Sequence, residues 1–237
     1  MRWAALPLPM LGPVLVLVAA CSAERSPEPA PTPRATVAAP RTLVAADFDP
    51  AMLGAHVADM ESTDVETGDG LARVSAFVAC PRAMATCDPA TTPEGTMFTY
   101  VVTITPQAED APETAPPPSP SPSASEPPIE PVEVPAELVR MTRAAHGFEG
   151  AVGFSRAEAA AALGAEDALT VTLDQKQLIW RVTGGSGWQP GKPITLWWQS
   201  SRAPAKPAPA YRLEWNGKSA DIAAPFPGAE KPVERNR

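Results

Sequence analysis

The sequence has little of the residues that build transition-metal sites. Its 237 residues include two histidines and three cysteines. His56 and His146 stand far apart, and neither belongs to an H-E-x-x-H or H-x₃-H motif. Because zinc sites use closely spaced His and Cys ligands, the sequence predicts no metal site and no cofactor.

Positive charge is also scarce. The chain has 19 Lys and Arg against 27 Asp and Glu, which gives a net charge of −8, and no Lys or Arg occurs between residues 83 and 139. Nucleic-acid binders neutralise phosphates with clustered basic side chains. The composition therefore argues against a nucleic-acid partner and against electrostatic docking on anionic lipid, and the sequence predicts no nucleic-acid partner.

Catalytic motifs are missing as well. Ser155 lies in Gly-Phe-Ser-Arg-Ala, which departs from G-x-S-x-G at its last position. The glycine-rich run at residues 184–187 lacks the G-K-[ST] ending of a phosphate loop, so it is interpreted as a hairpin loop. The sequence predicts no catalytic residues and a protein that is not an enzyme.

Long hydrophobic runs are absent too. Residues 3–20 carry no charge, but three prolines and one glycine interrupt them. The unbroken part, residues 14–18, is far shorter than the roughly 20 residues that span a bilayer. Ala19 and Ala20 are the small residues expected before an export cleavage site, so residues 1–20 are interpreted as a signal peptide.

The apolar run ends in a specific motif. Val18-Ala19-Ala20-Cys21 resembles the lipobox of bacterial lipoproteins, with Val in place of the commoner Leu at its first position. The resemblance covers residues 1–22. It implies cleavage before Cys21, a diacylglycerol on its thiol and a further acyl chain, such as palmitate, on its amine. The alternative is an ordinary secretory signal with a cysteine nearby.

The resemblance also implies a location. Two or three acyl chains hold a protein firmly on a membrane where one does not, so the membrane becomes a partner through Cys21. Ser22 stands where an Asp favours inner-membrane retention in Gram-negative lipoproteins. The expected location is the cell envelope, and in a Gram-negative host the outer membrane, facing the periplasm or the surface.

Two cysteines remain beyond Cys21. Cys80 and Cys87 would lie in an oxidising compartment, where an even pair favours a disulfide. A metal pair or a redox pair is the alternative. The C-x₆-C spacing is not that of C-x-x-C, and no histidine is near, which favours the disulfide.

Proline-rich stretches divide the chain. Residues 21–40 are predicted to be a Pro-rich tether, residues 41–225 a β-rich domain and residues 226–237 a flexible tail. Within the domain, residues 106–137 are predicted to be a disordered insert, because ten prolines fall between residues 112 and 135 with Ser, Ala and Glu between them. A linker between two domains is the alternative.

Alternation of apolar and polar residues predicts the fold. Residues 96–105 show it most clearly, and β-branched residues strengthen the assignment. Ser155 and Glu158 form a capping-box pattern before a short helix that ends at Gly164. Asn216-Gly217 is a two-residue hairpin signal. The predicted fold is mainly β, a two-sheet sandwich-like domain with one short helix; α+β is the alternative.

An acidic cluster and an aromatic cluster are the remaining candidate sites. The acidic one is interpreted as a solvated turn, with calcium binding as the alternative, although its spacing does not match an EF-hand loop. Its members are Asp59, Glu61, Asp64, Glu66 and Asp69.

The aromatic cluster contains five of the six tryptophans, all between residues 180 and 215. Trp180, Trp198 and Trp215 fit the core faces of alternating strands. Trp188, in the glycine-rich loop, and Trp197, out of phase with its strand, are candidates for an exposed platform that stacks on sugar rings.

These features favour two functions. The first is a lipid-anchored, non-enzymatic structural or interaction protein of the cell envelope, with an envelope protein as partner. The second is a carbohydrate- or peptidoglycan-binding module that uses Trp188 and Trp197.

Overall fold

Alternating apolar and polar residues fold into two six-stranded sheets that pack face to face. The computed structural model describes residues 38–65, 72–107 and 137–228, and for residues 58–65 it describes the backbone alone. These residues belong to one unit, Val37–Arg237. The fold is mainly β with one short α-helix in the described residues, which confirms the predicted sandwich.

The first sheet, sheet A, is antiparallel throughout. Two of its hairpins turn through residues with positive φ, Gln175-Lys176 and the predicted Asn216-Gly217. With strands numbered along the chain, its spatial order is β1 (Arg41–Leu43), β8 (Leu169–Asp174), β9 (Gln177–Val182), β6 (Leu138–Met141), β11 (Pro204–Trp215) and β12 (Lys218–Pro227).

The second sheet, sheet B, contains one parallel pair, β2 with β7, and is otherwise antiparallel. Strands from both sides of residues 108–136 join in it, since Trp197 of β10 pairs with Val101 of β5. Its spatial order is β2 (Ala46–Asp47), β7 (Phe148–Phe154), β10 (Ile194–Ser200), β5 (Phe98–Pro106), β4 (Ala72–Pro81) and β3 (Leu53–Val65).

The first ordered segment contributes a strand to each sheet. β1 ends at Leu43 in sheet A, and β2 begins at Ala46 in sheet B. Val44 lies at the corner, 94 % exposed. Arg156 holds the corner, since its backbone N–H donates to Asp47 Oδ1 at 2.8 Å and its guanidinium donates to the carbonyl of Ala45 at 3.3 Å.

The single α-helix, α1 (Arg156–Leu163), is capped as its sequence predicts. Ser155 Oγ accepts from the backbone N–H of Glu158 at 3.3 Å, and Gly164 ends the helix with φ +85°. In place of the second hydrogen bond of a capping box, which joins the side chain of Glu158 to the N–H of Ser155, both residues bond to β10. Thr195 donates its N–H to Glu158 Oε2 at 2.6 Å and accepts the N–H of Ser155 at 2.8 Å. The cap therefore also fixes the helix to sheet B.

The predicted domain limits differ from the strands at two places. β12 continues to Pro227 and buries Phe226 in the core, so the tail cannot begin at residue 226 as predicted. Pro106 ends β5, which places it within sheet B and not in an insert. The signal peptide, most of the tether, residues 108–136 and residues 229–237 lie outside the described residues.

Cys80 and Cys87 form the predicted disulfide. Their loop is tied to the start of β3, because Ala55 donates its N–H to the carbonyl of Met84 at 3.3 Å.

Closing so short a loop stabilises a fold by about 2 kcal/mol on the loop-entropy model. Reduction, or Cys87→Ser, is expected to lower the free energy of unfolding by that amount in urea titrations. An unchanged midpoint on reduction would contradict the bond.

Gly153 of β7 is a position where a side chain has no room. A Cβ there would collide with the carbonyl of Ala46 and lie 2.8 Å from Trp197 Nε1. We expect Gly153→Ala to displace β2 and cost about 1–3 kcal/mol, as overpacking does. Gly184→Ala is the matched control, since its Cβ would meet no atom closer than 3.8 Å. Equal urea midpoints for the two variants would contradict this expectation.

Candidate functional site

Both tryptophans proposed as an exposed platform are buried. Trp188 is 4 % and Trp197 is 8 % exposed, so the expectation that their rings stand free in solvent is wrong. Trp180, Trp198 and Trp215 lie in the core, as their strand positions predict. A stacking platform requires an open ring face, which neither side chain provides.

Trp188 is buried because its loop is pinned to the end of α1. Residues 183–193 join β9 of sheet A to β10 of sheet B, so the glycine-rich run is not the hairpin loop predicted. Within it, Ser186 donates its N–H to the carbonyl of Leu163 at 2.8 Å, and Gln189 donates to that of Ala162 at 3.1 Å. These bonds hold the loop against the end of α1, and Trp188 packs in the core cluster.

Trp197 lies on the face of sheet B opposite the core. Its strand neighbours Leu196 and Trp198 belong to the core cluster and Trp197 does not. Its Nε1 approaches the backbone at Gly153. Among the described side chains, this indole nitrogen is the one buried nitrogen or oxygen atom with no hydrogen-bond partner.

Beside Trp188 the surface holds a hollow of about 380 Å³. It lies at the end of sheet A where β9 and β11 finish and β6 begins. Three pieces of chain meet there: the loop 183–193, the turn at Asn216-Gly217, and Glu137 just before β6. Trp188 and Trp215 both line it.

The base of the hollow is fixed by hydrogen bonds. Trp215 Nε1 donates to the carbonyl of Trp188 at 3.0 Å, and Trp188 Nε1 donates to the carbonyl of Lys192 at 2.9 Å. Glu137 Oε2 accepts the backbone N–H of Trp188 at 2.7 Å. Both indole N–H groups are used within the protein, so neither is available to a ligand in the hollow.

The rim of the hollow carries polar groups without a described partner. Glu137, Gln189 and Asn216 line it, and neither Glu137 Oε1 nor either of the two side-chain amides makes a hydrogen bond to another described residue. An amide both donates and accepts, whereas a carboxylate oxygen only accepts. The rim can therefore bind a ligand that has both donors and acceptors.

Two other hollows, of about 420 and 430 Å³, are less suited to a ligand of mixed character. One lies beside Arg73 and Pro190, and the other beside Arg41 and Lys176. Neither is lined by an aromatic side chain. The hollow at Trp188 is the better candidate site.

Sequence reasoning named one residue of this site, Trp188, and missed its polar members. Glu137 and Asn216 are separated by 79 positions and meet only because β6 and β11 are paired, with Leu138 opposite Glu214. Asn216 carried a signal, but as a turn residue. No local pattern marks Glu137 as a neighbour of a tryptophan.

The predicted lipidation site and the acidic cluster cannot be compared with the described side chains. Cys21 lies outside the described residues, as do Glu66 and Asp69 of the acidic cluster. The side chains of its other members, Asp59, Glu61 and Asp64, are not described. Within the described ranges, no group of three His, Cys, Asp or Glu is placed to hold a metal ion.

No helix in the described part of the chain is long and apolar enough to cross a bilayer.

Comparison with known proteins adds no assignment: no family model, no curated protein and no solved structure matches this chain.

Proposed function

We propose that this chain is a lipid-anchored protein of the cell envelope that works by contact and not by catalysis. The observation that carries the proposal is the run Val18-Ala19-Ala20-Cys21 at the end of an apolar segment too short to span a bilayer. Acylation of Cys21 would hold the protein at the membrane, since each buried CH₂ contributes about 0.8 kcal/mol.

The fold suits a domain held on a tether. Residues 22–40 contain five prolines, which favour an extended chain with a rise of roughly 3 Å per residue. This tether joins the domain at β1 and β2, and those two strands belong to different sheets. The domain could reach partners up to ~50–60 Å from the membrane.

Anchoring is tested by changing one residue. Cys21→Ala removes the thiol that would accept lipid, and we expect the protein to leave the membrane fraction or remain as an unprocessed precursor. Ser22→Ala is the matched control and should fractionate as the unchanged protein does. Membrane fractionation and electrophoretic mobility measure both effects. A Cys21→Ala chain that is processed and membrane-bound like the control would refute lipid anchoring.

The non-enzymatic part of the proposal has its own test. The purified full chain should show no turnover on a panel of esters, peptides and glycans. Turnover that survives in several independent preparations would refute it. Chemical cross-linking in intact envelopes, followed by purification of this chain, should then recover one dominant envelope protein.

A second candidate function is glycan binding, and one observation favours it. The hollow at Trp188 is lined by two tryptophans together with Glu137, Gln189 and Asn216, the mixture of aromatic and polar residues found in small-molecule sites. Trp197 lies on another face and is not part of it. In this form the candidate depends on Trp188, Trp215 and the polar rim and not on exposed tryptophan faces.

A further inference from the structure

We infer that the hollow bounded by Trp188, Trp215, Glu137, Gln189 and Asn216 binds one neutral pyranose ring of an envelope glycan. The inference rests on the proposed function, in which the domain works by contact in the envelope. It adds the site and the class of ligand.

Size limits what the hollow can hold. Its volume of about 380 Å³ lies near the lower end of the range for small-molecule sites, roughly 300–1,000 Å³. One sugar ring with its substituents suits that volume better than an extended oligosaccharide. The remaining rings of a longer glycan would extend into solvent past Pro190 or Asn216, which lie on the rim.

The base of the hollow favours a ring with an apolar side. Trp188 and Trp215 line the hollow but are only 4 % and 5 % exposed, so little of their surface is open to a ligand. The C–H groups of a pyranose can pack on that surface, but the contact is small. Hydrogen bonds at the rim must supply most of the affinity, so we expect dissociation constants in the millimolar range, about −4 kcal/mol.

The rim matches hydroxyl groups better than a cation. A sugar hydroxyl can donate to Glu137 Oε1 while a neighbouring hydroxyl accepts from the amide of Asn216 or Gln189. An ammonium group could donate to Glu137 and to the amide oxygens, but it has no acceptor for the amide N–H groups. A neutral ring with adjacent hydroxyls can serve both the amide donors and the acceptor oxygens.

Charge selects against acidic sugars. A uronic acid would bring its carboxylate next to Glu137, on a chain whose net charge is already −8. Neutral sugars, including N-acetylated ones, avoid this repulsion. The site is therefore expected to prefer neutral over anionic rings.

One variant removes a rim group and leaves the fold intact. Asn216 has φ +50°, which glycine adopts freely, so Asn216→Gly deletes the amide without straining the turn. Gln175→Gly is the matched control, because Gln175 is the first residue of the other two-residue turn and has φ +46°. The control lies outside the hollow.

The test is titration of the full ¹⁵N-labelled chain carrying Cys21→Ala, monitored at the indole N–H signals of Trp188, Trp215 and Trp198. The probes are methyl glucoside, methyl N-acetylglucosaminide, methyl glucuronide and N-acetyl-lysine methylamide. We expect the neutral sugars to shift Trp188 and Trp215 but not Trp198, and the glucuronide to shift none. Asn216→Gly should weaken binding at least tenfold, whereas Gln175→Gly should not.

Three results would overturn the inference: no shift with either neutral sugar at 50-fold the expected constant, equal loss in both variants, or stronger binding of the lysine amide. None of them bears on anchoring, which the membrane fractionation of Cys21→Ala decides separately. The two proposals can thus fail independently.

Discussion

Trp198→Ala is expected to lower the free energy of unfolding by about 3–5 kcal/mol, the usual cost of deleting a large buried aromatic side chain. Domains of ordinary size have only about 5–15 kcal/mol in total. The variant should therefore lose roughly a fifth or more of its stability, measured as the shift in a urea-unfolding midpoint. A loss below about 1 kcal/mol would contradict a central role for this ring.

The size of this effect reflects where Trp198 lies. It is 1 % exposed, and its ring centroid is 4.9 Å from that of Tyr100 and 5.7 Å from that of Phe226. Tyr100 belongs to sheet B and Phe226 to sheet A, so the ring joins the two sheets. Its Nε1 donates to the hydroxyl of Tyr211 at 2.9 Å, again across the sandwich.

Phenylalanine substitutions separate packing from hydrogen bonding. Trp198→Phe keeps an aromatic ring but removes the bond to Tyr211, so it should cost about 1–3 kcal/mol. Trp197→Phe removes a buried nitrogen that has no described partner, and relief of that penalty should offset much of the lost packing. Trp197→Phe is thus the control for its neighbour. If Trp197→Phe costs more stability than Trp198→Phe, then Trp198 is not the tryptophan that faces the core of sheet B.

Steep alkaline unfolding is the second large effect that we expect. The chain has two tyrosines, Tyr100 and Tyr211, and both are buried. Burial raises the pKa of Tyr100 far above its usual value of 10, and the nearby Tyr211 raises it further. Burial likewise raises the pKa of Tyr211, although the hydrogen bond from Trp198 opposes the shift.

The direction of the pH dependence of stability follows from how many protons the folded and the unfolded states hold. Below pH 10 both states keep both phenols protonated, and the two groups add no pH dependence. Above pH 10 the unfolded chain releases these protons while the folded chain retains them. Stability should then fall by about 1.4 kcal/mol per pH unit for each tyrosine, roughly 2.7 for the pair.

Absorbance at 295 nm, where tyrosinate absorbs, measures this directly. We expect no tyrosinate signal above pH 10 as long as the protein remains folded. At higher pH the signal should rise cooperatively, together with loss of the folded-state circular dichroism signal. Tyr100→Phe should halve the slope of stability against pH. A gradual titration near pH 10 without unfolding would show that the phenols are accessible, against the structure.

The strands that sequence alone predicted best are those with local alternation. β5 matches the prediction over residues 96–105 within two residues, because Tyr100, Val102 and Ile104 repeat with the period of a strand. The helix was equally predictable, because Ser155 and Gly164 mark its two ends. In each case the signal lies within a few residues of the element that it predicts.

β11 shows why other strands were missed. Pro204, Pro207 and Pro209 precede Tyr211, and proline is depleted in strands. The structure begins the strand at Pro204. β6 pairs with residues 211–214 alone, so the proline-containing half has a neighbour only in β12, with irregular register. Proline is tolerated there because fewer backbone N–H groups are needed for pairing.

The candidate site was harder still to predict. Trp188 was assigned to a loop, correctly, but its burial depends on hydrogen bonds to the carbonyls of Ala162 and Leu163. The hollow depends on the pairing of β6 with β11, which brings Glu137 near Asn216. Long-range register of this kind leaves no mark in a single sequence. The anchor motif, by contrast, is entirely local.

The most direct test of the central claim is mass spectrometry of the N-terminal peptide from protein extracted from its native membrane. We expect a chain that begins at Cys21 and carries a diacylglyceryl group on the Cys21 thiol, with an amide-linked acyl chain where the host adds one. A chain that retains residues 1–20, or that begins near Cys21 with a free thiol, would contradict it.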